Sequence, residues 1–212
     1  SVRIKESRTR RCLKMKKSTG SRSRRRVYFA TTNSHKFEEA RLILSEYGIE
    51  VLRVDAKGQE IQARTIEEIA MASAKYIARR RKTPAIVEDA GLFVEALNGF
   101  PGPYSSYVNQ TIGNKGLLKL LEGITNRRAE FRSTVAFSGP TIKCFSGVVY
   151  GNISHKERGS RGFGYDPIFE PLEGGGRTFA EMTPEEKNLR SHRAKALRKF
   201  AEWYCRCHAS HS

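Results

Sequence analysis

Acidic residues are almost missing from the start of this chain. Residues 1–26 carry twelve Lys/Arg against one acid, Glu6, which gives that stretch a net charge of +11. The remaining 27 basic and 21 acidic residues leave +6 of the total +17 for everything after it. The basicity is mostly that of a tail, so the high pI does not by itself indicate a nucleic-acid-binding domain. Long apolar runs are missing too, and none approaches the ~18 residues of a membrane span. The four cysteines, Cys12, Cys144, Cys205 and Cys207, show no framework spacing, and no secretory apolar segment precedes them. Cys205-Arg-Cys207-His208 is a short spacing for a zinc site. A disulfide scaffold is therefore not expected, and a reducing, cytoplasmic setting is.

Residues 1–26 have too little apolar surface to fold alone and are expected to form a disordered basic extension. Its Arg/Ser-rich composition is that of a transit peptide, without the amphipathic face such peptides carry. Met15, the only Met ahead of the patterned region, marks an alternative start. With 212 residues there is room for one domain with a substantial core, here placed at 27–206 with a polar tail at 207–212.

Val27–Thr31 reads as a buried strand, and Phe37, Ala40, Leu44 and Tyr47 recur at helical spacing until Gly48. Ile49–Val54 reads as a second strand. Thr65-Ile-Glu-Glu68 is a capping box opening a helix through about Arg80, and Ala85–Val87 a short strand ending in Glu88-Asp89. Lys115–Leu121 is a short helix after the Gly/Pro-rich loop 98–103. Phe131–Phe137 and Ile142–Ile153 form a hairpin, and Glu185–Tyr204 a last helix behind the capping box Thr183-Pro-Glu-Glu186. Strands alternate with helices and then form a hairpin, so the class is mixed α/β.

Three constellations carry chemistry. Thr31-Thr32-Asn33-Ser34-His35-Lys36 joins a strand to the first turn of a helix, where N–H groups and the helix dipole favour phosphate and Lys36 adds a point charge. It lacks the glycine spacing of a Walker A loop, and Asn33 alone reads as a helix cap. Glu88-Asp89-Ala90-Gly91 puts two carboxylates before a turn, the donors that Mg²⁺ combines with substrate phosphates; such a pair in a loop is more often only solvated. Gly162-Phe163-Gly164-Tyr165-Asp166 offers an aromatic face between two glycines, and Lys187, His192 and Arg193 supply donors from the helix that follows. Alone, GFGYDP is a turn and SHR a solvated face; together, in this order, they point to a nucleotide.

The motifs TTNSHK (31–36), EDAGL (88–92), PGPYSSYV (101–108), GFGYDPIF (162–169) and EMTPEEKNLRSHR (181–193) resemble the inosine triphosphate pyrophosphatase family. These enzymes act on non-canonical purine triphosphates, and PGPYSSYV is most similar to the form in archaeal members. The resemblance covers Val27 to about Tyr204 and implies an elongated central sheet with flanking helices, two lobes around a cleft and a homodimer. It also implies Mg²⁺-dependent conversion of XTP, ITP or dITP to the monophosphate and pyrophosphate. Thr31, Thr32, Asn33, Ser34, His35 and Lys36 would grip the triphosphate and Lys75 would approach it. Glu60 and Asp89 would hold the metal, with Asp89 the general base, while Phe163, Gly164, Tyr165, Asp166, Lys187, His192 and Arg193 would surround the base. Ala90 stands where many members have Ser, removing a hydroxyl contact to substrate.

Two alternatives stay open at this level. One is a pyrophosphatase for modified pyrimidine triphosphates; the other is a nucleic-acid-binding protein acting through its basic arm. On the enzyme reading, residues 1–26 attract nucleic acid only non-specifically.

Overall fold

The computed structural model describes residues 25–56 and 61–209. Its frame is one six-stranded sheet in the order β2-β1-β3-β4-β5-β6, built from β1 (Arg25–Ala30), β2 (Ile49–Val54), β3 (Ala85–Val94), β4 (Arg128–Ser138), β5 (Ile142–Ile153) and β6 (Phe169–Pro171). β1 lies parallel to both β2 and β3, and the other pairs are antiparallel. The expected mixed α/β class is therefore what the chain adopts. β1 begins at Arg25, two residues ahead of the expected boundary; the rest of the basic extension, Glu60 and residues 210–212 lie outside the described residues.

Helix α1 (Ser34–Ser45) carries the chain from β1 to β2, and α2 (Ile66–Arg80) carries it from β2 back past β1 to β3. The strand order thus reverses at β1, so right-handed crossovers place the two helices on opposite faces. Accordingly Ala40, Ile43 and Leu44 of α1 pack with Phe29 and Ile86, while Ala70, Ala74 and Ile77 of α2 pack with Ala30, Ala85 and Val87. A reversal of this kind opens a crevice at the carboxyl ends of the strands. Here β1 pairs with β3 only at Tyr28↔Ala85 and Phe29↔Ile86, and then stops.

β3 does not stop there. The expected strand Ala85–Val87 runs on to Val94, because β4 pairs with it continuously from Ile86↔Phe137 to Val94↔Ala129. Glu88, Asp89 and Gly91 are therefore strand residues and not a turn. Gly91 serves a close approach instead, since a Cβ there would stand 2.5 Å from the carbonyl oxygen of Gly102. That loop continues through a 3₁₀ turn (Gly102–Tyr104) into α3 (Ser105–Thr111) and α4 (Gly113–Leu120); α4 is the helix expected at Lys115–Leu121, and α3 precedes it where no helix was expected.

The last helix is also two, α5 (Pro184–Arg190) and α6 (His192–Ala209). Ser191 is extended between them, and its Oγ accepts from the N–H of Ala194 at 3.2 Å, as an N-cap does. α6 continues past the expected end at Tyr204. Its Ala196, Leu197, Phe200 and Ala201 lie against the α1 face of the sheet. A second core forms at the far end of β3, β4 and β5 around Leu92, Phe131, Phe169 and Phe179. The stretch Glu88–Ala90 lies on β3 between the two cores.

Gly147 of β5 lets α6 touch the sheet, because a Cβ there would meet the carbonyl oxygen of His192 at 2.2 Å and the nitrogen of Ala196 at 2.7 Å. Both are backbone atoms and cannot rotate away. Gly147→Ala is expected to cost about 1–3 kcal/mol, lowering the melting temperature by roughly 2–4 °C per kcal/mol at this size. A thermal melt matching wild type would show that α6 is free to shift.

Candidate active site

At the end of β1 the chain turns into α1 through the first expected constellation. Thr31 Oγ1 accepts from the Asn33 N–H at 3.1 Å, and Asn33 Oδ1 accepts from the Lys36 N–H at 3.1 Å, capping α1. Asn33 is thus the helix cap that its position alone suggested, and the cap shapes the loop. Arg53, which no motif singled out, donates to the carbonyls of Thr31 and Thr32 at 3.3 and 3.0 Å. With those carbonyls tied down from behind, the loop's other side holds the helix N-terminus, including Ser34.

Below the loop runs a chain of alternating charge. The Lys36 ammonium pairs with Glu88 at 2.9 Å, Glu88 with Arg193 at 3.1 Å, Arg193 with Glu39, Glu39 with Lys187 at 2.7 Å, and Lys187 with Asp166 at 2.6 Å. None of the six side chains is more than 19% exposed. Burial alone would raise Glu88, but Arg193 and Lys36 hold it well below the usual carboxylate range. Glu39 is likewise raised by burial and brought down to about 2 by Arg193 and Lys187. Glu39 is a site residue that sequence reasoning missed. Its position one turn after Lys36 in α1 was the available signal, and surface exposure was the simpler reading.

Strand alternation separates the two carboxylates that were read as one cation site. Ile86 and Val135 pack on the α1/α6 face, Val87 and Ala136 on the α2 face, and the same period sends Glu88 to the first and Asp89 to the second. Glu88 is occupied by Arg193, Lys36 and the hydroxyl of Ser133, which donates at 2.5 Å. Ser133 stands directly across from Ala90, so a cross-strand hydroxyl sits beside the position that lacks the Ser hydroxyl. Asp89 differs from Glu88, Glu39 and Asp166 in forming no ion pair among the described residues. Burial pushes its carboxyl up to about 6, with Lys36 opposing the rise and Glu88 adding to it.

On the α1/α6 side the base-reading candidates converge. The Phe163 ring lies 5.0 Å from the His35 imidazole at 14°, with the Lys187 ammonium and Arg193 guanidinium 4.9 and 5.4 Å from its centroid. Asp166 is a buried support, accepting from the Phe163 N–H at 2.8 Å and from Lys187. Asn114 of α4 holds the Gly164 carbonyl at 3.1 Å. Two expected contacts move away from this cluster. Tyr165 turns into the core, donating from its hydroxyl to the Ser105 carbonyl at 2.9 Å, and Lys75 stands exposed on α2. His192 is held neutral by burial and by Arg193, stacked 4.5 Å from Phe131, with Nδ1 buried and without a hydrogen-bond partner.

Among the described residues no group of three or more His, Cys, Asp or Glu gathers as a metal cluster. Mg²⁺ needs fewer protein ligands than that, one or two carboxylates with substrate phosphates and waters completing the shell. The hard oxygen donor of Asp89, half-buried and without an ion pair among the described residues, fits such an ion; Glu60 lies outside the described residues.

The Ham1 family model matches residues 27–203. The chain is 56% identical over 181 residues to a dITP/XTP pyrophosphatase of Methanopyrus kandleri, covering 84% of this chain and 96% of that one. It is 53% identical over 178 residues to the protein of that name from Thermococcus kodakarensis, with the same coverage. Among solved structures, the Ham1 protein of Staphylococcus aureus matches with a TM-score of 0.73 at 31% identity, over 84% of this chain and 97% of that one. A HAM1 protein from Coxiella burnetii matches with a TM-score of 0.75 at 31% identity, over 86% and 99%. A shared sheet, the five motifs in order and a match over nearly the whole described region make this chain a member of the Ham1 family.

Proposed function

We propose that this protein is a Mg²⁺-dependent pyrophosphohydrolase that converts XTP, ITP or dITP to the monophosphate and pyrophosphate. One observation carries the reading: where β1 ends and β3 continues, a capped helix N-terminus and an aromatic platform flanked by cations are joined by one charged chain through Glu88, and the adjacent Asp89 is a half-buried carboxylate without an ion pair among the described residues. The relatives named for dITP and XTP support the substrate class. We further propose that it works as a cytoplasmic homodimer with its cleft between the two apolar cores.

The chain's own groups divide the work. The triphosphate is highly anionic and repels an incoming oxygen nucleophile, so charge must be neutralised before attack. The N–H groups around Ser34 and the Lys36 ammonium meet the phosphates, and Lys75 reaches them only if its exposed side chain folds over the site. Mg²⁺, when bound by Asp89 and Glu60, would neutralise phosphate charge and orient the α-phosphate. Asp89 positions the attacking water and takes its proton, and burial suits it to that task near neutral pH. Phe163 offers a stacking face to the purine, and Lys187 and Arg193 place donors around it. Their hydrogens suit the 6-oxo group of hypoxanthine or xanthine; an adenine amino group would set donor against donor in a dry pocket.

Three outcomes test this. Purified protein with Mg²⁺ is expected to release pyrophosphate, not orthophosphate, from XTP and dITP, with ATP and CTP far slower; equal rates on ATP and ITP would overturn the base assignment, and a preference for modified pyrimidine triphosphates would favour the other enzyme reading. Asp89→Asn is expected to lower turnover by ~10²-fold or more with an unchanged circular dichroism spectrum, and a wild-type rate would remove Asp89 from the chemistry. Arg193→Ala leaves Glu88 with Lys36 and Glu39 with Lys187 but removes the second cation from each, so it is expected to lose stability, of order 1–3 kcal/mol, as well as base selectivity. Arg193→Lys separates these effects: a stable variant that has lost ITP-over-ATP preference supports base reading, whereas retained preference assigns Arg193 to the fold.

A further inference from the structure

Two rings carried by elements of different cores meet at the site. His35 stands in the first turn of α1, which packs through Ala40, Ile43 and Leu44 into the core around Phe29. Phe163 lies two residues before Tyr165, a member of the core around Phe131. The ring centroids of His35 and Phe163 are 5.0 Å apart at 14°, so the imidazole covers one face of the ring that is offered to the purine.

A base cannot slip between them. Carbon atoms in contact stand about 3.5 Å apart, so a flat ring between two others needs their planes roughly 7 Å apart, more than this stack provides. Lys187 and Arg193 also stand over the Phe163 ring, 4.9 and 5.4 Å from its centroid. These two are buried, and each is held between two carboxylates, Lys187 by Glu39 and Asp166 and Arg193 by Glu39 and Glu88. His35 is exposed, and its imidazole forms no hydrogen bond or ion pair among the described residues. Of the three groups over the platform it is the one that moves at least cost. An imidazole is also one of the two fused rings of a purine, so this side chain covers the platform with half of the shape that a purine would bring.

We propose that His35 occupies the base platform as a stand-in for the purine, and that the substrate's base displaces it on binding. The inference rests on the pyrophosphohydrolase reading above, and it gives His35 a part distinct from gripping the triphosphate. A purine covers more of Phe163 than an imidazole does and brings its 6-oxo group to Lys187 and Arg193, so the exchange favours substrate. The imidazole competes with every base alike, so it weakens binding without altering the preference between bases. It competes with the base of the monophosphate too, and its return to the ring favours product release. Pyrophosphate has no base and escapes this competition.

The test compares full-length wild type with His35→Ala and His35→Phe, by steady-state hydrolysis of XTP with Mg²⁺ and by calorimetric titration with xanthosine monophosphate and with pyrophosphate. Thermal melts confirm that each variant is folded at the assay temperature. Stacks of this kind correspond to about 2- to 10-fold in an equilibrium constant, so His35→Ala is expected to lower the KM for XTP and the Kd for xanthosine monophosphate by that factor. His35→Phe puts a ring back and returns both to wild-type values or above. Pyrophosphate is expected to bind His35→Ala no more tightly than wild type. A higher KM in His35→Ala with weaker pyrophosphate binding would overturn the proposal and assign His35 to the phosphates. Equal constants in wild type and His35→Ala, or in the Ala and Phe variants, would overturn it by showing that no ring is displaced from the platform. Pyrophosphate binding tightened by the same factor would overturn it by placing the effect in the loop. A wild-type protein that releases no pyrophosphate from any purine triphosphate would instead sink the functional reading on which the proposal stands.

Discussion

The alternating chain Lys36–Glu88–Arg193–Glu39–Lys187–Asp166 is the interaction on which the rest of the site depends. It joins α1, β3, α5, α6 and the Gly162–Asp166 loop, elements that are far apart in sequence. Removing these charges from water is costly, and the arrangement holds because each interior member has an opposite charge on both sides. Arg193 shows the constraint most clearly. It stands in the first turn of α6, where the helix dipole disfavours a cation, and Glu39 and Glu88 offset that placement. Three acids and three bases thus tie the Thr31–Lys36 loop to the Phe163 platform.

The second constraint is the two-residue period of β3. Because the strand continues beyond the end of β1, Glu88 and Asp89 point to different faces and cannot play the same part. Glu88 joins the charged chain and organises the cations. Asp89, without a cation of its own, remains available to a metal or a water, and burial raises it toward neutrality. Adjacent carboxylates acquire different chemistry from the pleat of the backbone alone.

Packing at glycines sets how closely these parts approach. Gly147 brings the first turn of α6 onto β5, and Gly91 lets the loop around Gly102 lie against the α2 face of β3. The first seats His192 and Arg193. The second seats the loop whose Pro101 bridges Phe93 on the edge of β3 beyond the point where β1 stops. Side chains at either place would push backbone against backbone, the kind of contact that a core does not absorb by rotamer changes.

Local signals wrote much of the fold into the sequence: capping boxes at Thr65 and Thr183, the cap at Asn33, apolar periodicity in α1 and α2, and the β4–β5 hairpin all depend on near neighbours. The five ordered motifs also identified the family, since they carry the residues that meet at the crevice. What depended on distant partners could not be read there. β3 extends past Val87 because β4 pairs with it, and the α5–α6 break at Ser191 is a single cap inside a continuous helical pattern. Glu39 and Ser133 look like ordinary surface and strand residues until Arg193, Lys187 and Glu88 are folded against them. Tyr165 sits in a binding motif yet spends its hydroxyl on Ser105 in the core. The sequence determined which chemical groups this protein has; only the tertiary structure decided which of them are paired and which are free, because pairing is set by contacts between residues remote along the chain.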